Sequence, residues 1–158
     1  MQPDQERPIV HPPGEGRAID MGAFAMTVKA DGRDTGGSFS LLEAAEPPGF
    51  GPPMHTHEDA GEAFYVLEGE YLIFMEHQEY LCPAGSFVFI PRGLVHGFRV
   101  GTVPSRKLNI YTPAAMVAYF DELSLAAAEP ATLDDQSLVT MAARHNMRVL
   151  GPVPEGYS

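Results

Sequence analysis

Basic residues are scarce in this chain. Ten Lys and Arg stand against 21 Asp and Glu, a net charge of −11 with histidine neutral. That argues against nucleic acid or an anionic membrane surface as partner, since both are negative and need basic patches. The acidity itself reads as solubility. Cysteine is nearly absent: Cys82 stands alone, so no internal disulfide can form, and a reducing compartment fits. It lies in Leu81-Cys82-Pro83-Ala84-Gly85, with no base close in sequence, and reads as a small buried residue rather than a nucleophile. No stretch approaches the ~20 apolar residues of a membrane helix. The first residues, Met1-Gln2-Pro3-Asp4-Gln5-Glu6, lack an apolar run behind a basic start, so no signal peptide is visible and a cytoplasmic location is expected. Repeats, a Ser-His-Asp arrangement, a phosphate-binding Gly loop and an interdomain linker are also missing.

What is present suits one domain spanning residues 1–158, with a barrel over about 18–112 and a helical tail over about 113–150. The 16 Gly and 15 Pro are scattered between short apolar runs, as turns between many short strands would be. Residues 1–17 read as an arm or extended edge. Ala18 to Ala30 reads as one or two strands, Asp31 to Gly37 as a turn, and Ser38 to Ala44 as a strand. The proline-rich run Glu46 to Pro53 excludes regular structure. Strands follow at Ala63 to Leu67, Tyr71 to Met75, Tyr80-Leu81, Ser86 to Ile90, His96 to Val100 and Arg106 to Tyr111. This spacing suggests an antiparallel sandwich or barrel. Thr112-Pro113 predicts the N-cap and first residue of a helix over Ala114 to Ala128, ended by Pro130. A second helix is predicted from Leu133 to His145, and an extended segment from Met147 to Pro152. The apolar stripe of the tail reads as packing against the barrel or a second subunit, not as a lid.

The chemistry gathers between Gly49 and His96. His55 and His57 are two apart, so in a strand they share a face. Glu62 begins the next strand after a tight loop, and His96 comes from a remote one. Three imidazoles and a carboxylate can close on one divalent transition metal ion; Fe, Ni, Mn, Co, Cu and Zn are all compatible. Four protein ligands leave positions open for water, dioxygen or substrate. His11, His77 and His145 lack a partner pattern and read as ordinary core or surface histidines.

The arrangement resembles the cupin superfamily. Its first motif corresponds to Gly49, His55, His57, Glu62 and Gly69, and its second to Gly85, Pro91, Gly93 and His96. The last position of the second motif, Asn in the family, is Val100 here; that Asn is not a metal ligand. The resemblance implies an all-β fold: a single jelly-roll (cupin) β-barrel with a C-terminal helical extension. It implies a metal held by His55, His57, Glu62 and His96, and it suggests a homodimer.

Alternation from the ligands puts Met54, Phe64, Val66, Ile73, Met75, Phe87, Phe89, Phe98 and Val100 on the inner face. They describe an apolar, partly aromatic cavity with almost no Lys or Arg, suited to a flat or greasy molecule that ligates the metal through one or two oxygens. The phrases Gly49 to His55, Glu62 to Gly69 and Phe87 to Gly93 look like those of the small quercetin (flavonol) dioxygenase-like cupins. This implies a metal-dependent dioxygenase, with Glu62 as ligand and as the base that takes a substrate hydroxyl proton. Two alternatives stand beside it: a metal-dependent cyclase or isomerase of polyketide-like substrates, and a small-molecule-binding module without turnover.

Overall fold

The computed structural model describes residues 6–129 and 134–152. The predicted stop at Pro130 and helix start at Leu133 lie outside them.

Eleven strands among the described residues form two antiparallel sheets. The strands are β1 (Arg17–Asp20), β2 (Ala25–Ala30), β3 (Ser40–Glu46), β4 (Met54–His57), β5 (Gly61–Glu68), β6 (Glu70–Met75), β7 (Gln78–Pro83), β8 (Phe87–Ile90), β9 (His96–Val100), β10 (Ser105–Thr112) and β11 (Met147–Gly151). One sheet runs β1-β2-β3-β10-β5-β8 and the other β11-β4-β9-β6-β7. From β3 to β6, and again from β7 to β10, each strand crosses to the opposite sheet. That alternation is the winding of a double-sheet jelly roll, as expected.

The strands form where the sequence alternates. β10 buries Ser105, Lys107, Asn109 and Tyr111 and turns Arg106 and Thr112 outward. β3 buries Ser40, Leu42, Ala44 and Glu46 against it, register pair by register pair. Positive φ occurs at Gly49, Gly69, Gly85 and Gly93, the four glycines of the motifs. At Gly69 the need is doubled, because a Cβ would also collide with Ser105 Oγ.

Two regions of the chain depart from the sequence reading. Residues 31–37 hold a single helical turn, α1 (Gly32–Thr35), capped by Asp31 and closed by left-handed Gly36. The first tail helix, α2 (Val117–Ala127), begins four residues later than its predicted cap implies, with Met116 and not Thr112 at its N-cap. Thr112 is still in the sheet, paired with Gly61. Ser40 Oγ then donates to the Ala115 carbonyl and accepts from the Ala115 N–H, holding the backbone out of the helix. The second, α3 (Asp135–Arg144), starts from Asp134, whose carboxylate accepts from the Ser137 N–H at 2.7 Å.

The apolar interior has two parts. One, between β5, β6, β8 and β9, contains Phe64, Val66, Tyr71, Ile73, Val88, Phe98 and Val100. The other lies between the N-terminal strands and the tail, around Met26, Leu42, Tyr111, Phe120 and Met141. The site sits where the two meet.

Candidate metal centre

β4 presents His55 and His57 on one face, and β9 lies beside it with His96 directly opposite His55. Glu62 comes from β5 in the other sheet and reaches across the barrel. Two sheets thus share the set, and all four side chains are buried. One donor atom from each lies within 4.8 Å of every other. An ion about 2.1 Å from each donor needs pairs no more than roughly 4.2 Å apart, so a contraction of a few tenths of an ångström suffices.

The hydrogen bonds fit that use. His55 Nδ1 lies 2.7 Å from the Pro53 carbonyl and His96 Nδ1 lies 2.9 Å from that of Leu94. Each carbonyl fixes the N–H on Nδ1 and leaves the Nε2 lone pair free. Among the described residues, His57 Nε2 is buried without a hydrogen-bond partner, although Glu62 Oε2 is 2.7 Å away. Glu62 Oε2 is also 3.2 Å from His96 Nε2. Three nitrogens and one acidic oxygen facing one point is the donor chemistry of a divalent transition metal.

Electrostatics favour a neutral His55 beside an ionised Glu62. Burial, and then the neighbouring His96 and His57, push His55 down to about 3. Burial alone would raise Glu62, but His57 and His96 outweigh it and hold the carboxyl well below its ordinary value. Burial would lower His96, yet the bond and charge of Glu62 raise it. Burial, with the charge of Glu62, lifts the Tyr111 hydroxyl well above its ordinary value, so it stays protonated.

In front of His55, His57 and Glu62 opens a cavity of about 800 Å³; His96 is not among the residues that line it. Its aromatic wall runs from Phe98 to Phe50 (6.2 Å between ring centroids), to Phe24 (4.6 Å) and on to Phe120 (6.4 Å).

Residues 43–111 match the cupin domain family. The chain belongs to the cupin superfamily. This cupin is 31% identical over 117 residues to quercetin 2,3-dioxygenase of Bacillus subtilis, across 74% of this chain and 34% of that protein. It is 31% identical over 70 residues to an uncharacterized protein of Methanocaldococcus jannaschii, across 44% of this chain and 56% of the other. It therefore spans only about a third and about half of the length of these curated relatives. An RmlC-like cupin from Shewanella frigidimarina superposes with a TM-score of 0.60 at 18% identity, covering 70% of this chain and 95% of that one, a likeness of fold.

The cupin's cavity wall differs from the one the sequence suggested. Phe98 lines it. Phe64 and Ile73 are buried in the core behind, with Met75 packed against them. Met54 is half-buried and alternates away from His55 and His57. Phe87 and Phe89 are a correction: they are 64% and 52% exposed and face outward. The ladder gives the reason. Phe64 pairs with Val88 and Glu62 with Ile90, and opposite residues share a face, so Val88 and Ile90 point inward. Much of the wall comes instead from the tail, where Tyr119, Phe120 and Leu138 both pack and line the cavity. The wall also contains Lys107, the one lysine or arginine among its residues. Its ammonium is paired with Glu46 at 2.9 Å, and Glu46 also accepts from the Tyr71 hydroxyl at 2.8 Å. Lys107, Asn109 and Tyr111 were not singled out from the sequence; alternation along Ser105–Thr112 is the signal that could have found their inward side.

Proposed function

We propose that this cupin is a metal-dependent dioxygenase acting on an aromatic or enolic small molecule of flavonol type. The reading rests on one observation above all: a buried three-imidazole, one-carboxylate set opens, through His55, His57 and Glu62, onto an aromatic cavity large enough for a molecule of two or three rings. The 31% identity to quercetin 2,3-dioxygenase over 74% of the chain supports it.

His55, His57, His96 and Glu62 would hold the ion. When bound, it supplies Lewis acidity toward a substrate oxygen and a place for dioxygen. The chain's own residues do the rest. The Phe24, Phe50 and Phe98 rings orient a flat substrate and exclude water. Glu62, held ionised by its imidazole neighbours, accepts the proton of the substrate hydroxyl on its carboxylate. Tyr111 keeps its proton and can donate to an oxygen beside Glu62.

The test is oxygen uptake by metal-loaded protein given flavonols, followed with the absorbance change on binding. Uptake matched to flavonol loss supports the reading. Turnover that continues without oxygen removes it and leaves a non-oxidative enzyme.

The proposed homodimer would use the outer face of β5 and β8. There Phe87 and Phe89 lie beside exposed Tyr65 and Leu67 on an edge strand. Light scattering on the eluted protein tests it: a mass of one chain rejects the dimer.

A further inference from the structure

We infer that Lys107 and Asn109 of β10, with Glu46 of β3, form a second polar subsite that selects molecules carrying a hydroxyl remote from the metal-binding oxygen. The inference deepens the proposed function and rests on it only for the end of the substrate that meets the metal.

The three groups share the cavity with the metal-binding residues, and all three are buried. Each keeps hydrogen-bonding capacity that the fold does not use. Lys107 has three N–H donors. Among the described residues, its hydrogen bond goes to Glu46 Oε1 alone. Its remaining surroundings are ring faces, with Phe98 at 4.2 Å, Phe64 at 4.8 Å and Tyr71 at 5.2 Å from their centroids. Glu46 Oε1 takes both the Lys107 and the Tyr71 bonds, while Oε2 takes none among the described residues. Among the described residues, Asn109 Oδ1 is buried with no partner, and its Nδ2 reaches only the Tyr111 hydroxyl, at 3.5 Å.

A structural role explains this poorly. An unsatisfied buried polar group costs about 1–3 kcal/mol, and a buried ion pair is often no more stabilising than apolar residues of the same volume. A ligand hydroxyl answers two of the three groups at a time. It donates to Glu46 Oε2 or Asn109 Oδ1 and accepts from Lys107 Nζ.

The placement sets the reach. Lys107 and Tyr111 are four residues apart on one strand, about 13 Å. Tyr111 is the register partner of Glu62, and its ring lies 5.4 Å from that of His57. A molecule of two or three linked rings bridges that span with an oxygen at each end. The class is a phenol-bearing aromatic, hydroxylated on the ring away from the metal.

The first arm of the test uses metal-free protein and no flavonol. Phenol and toluene, which differ by one hydroxyl, are titrated while the Asn109 side-chain amide and Lys107 ε-methylene NMR signals are followed. Phenol is expected to move both signals and to bind about tenfold more tightly than toluene, the discrimination of one satisfied hydrogen bond. Equal binding, or no movement at these two residues, overturns the subsite. In the paired variant Glu46→Gln/Lys107→Met, which leaves no charge alone, the preference is expected to collapse toward one. If that protein does not fold, Asn109→Leu replaces it. A preference that survives at full size in a folded variant also overturns the subsite.

The second arm compares, on zinc-loaded protein without oxygen, a flavonol bearing only its metal-binding hydroxyl with one hydroxylated on the remote ring. Tighter binding of the second supports the subsite. Phenol preference without any flavonol binding keeps the subsite and removes the flavonol reading. Flavonol binding without phenol preference does the reverse.

Discussion

The interior has a closed half and an open half, and they are built differently. The closed half, around Phe64, Ile73, Val88 and Phe98, draws on residues 64–100, which pair as neighbouring strands. Alternation along each strand fills it, and little space is left. The open half recruits Met26 and Phe24 from the start of the chain, Phe50 from the proline-rich loop, Tyr111 from β10 and Phe120 from the tail. These segments are far apart in sequence, and they leave about 800 Å³ between them. The four candidate ligands sit on the border. Local strand register places them, while the space before them is a product of the whole fold.

The comparison can be broken at several points. The largest effect is expected on the border itself. His57→Ala or His96→Ala should abolish stoichiometric metal binding, read by elemental analysis of dialysed protein, while His145→Ala should leave metal content unchanged. His145 lies away from the site and pairs with Glu122 at 2.7 Å. Equal metal content in all three variants would refute the ligand set.

Next comes stability. Phe64→Ala in the closed half should cost about 3–5 kcal/mol in denaturant unfolding, because the hole cannot collapse. Phe24→Ala should cost clearly less, about 1–2 kcal/mol, since one side of its ring already faces a void. It should instead weaken binding of an aromatic ligand. Equal costs would erase the distinction between the halves.

Acid gives the third contrast. His96 is raised by Glu62, and Glu62 is lowered by the imidazoles. In metal-free protein the His96 contribution is fully present below its ordinary 6.5 and is lost as pH rises through the raised value. The Glu62 contribution is present above its ordinary 4.5 and is lost as pH falls through the lowered one. The metal competes with the His96 proton, so metal affinity has the opposite slope to the His96 contribution and should fall as pH drops through the raised His96 value, above its ordinary 6.5. Metal content that holds steady well into acid would contradict this ligand set. His55, lowered to about 3, should take a proton only after His96.

The smallest effect belongs to the outer surface. Phe87→Ser should change the stability of one chain by no more than about 0.5 kcal/mol, because the ring is 64% exposed. Any larger change that depends on protein concentration would mark the outer face of β8 as an interface.

The sequence by itself determined the strand pattern, the turn glycines and the four candidate ligands. His55 and His57 share a face by period alone, and the loop from Glu58 to Gly61 is too short to carry Glu62 elsewhere. It did not determine which way β8 faces, because parity counted along one chain is lost across each turn; the ladder with β5 decided that. It did not place Thr112, whose cap chemistry yielded to a sheet partner at Gly61. Nor could it show that Lys107, inside an acidic chain, is buried against Glu46 from a strand 61 residues away. Spacing is a property of neighbours along the chain. A cavity wall and a buried ion pair belong to residues that become neighbours only when two sheets and a helical tail close on one another, and the tertiary structure alone decides them.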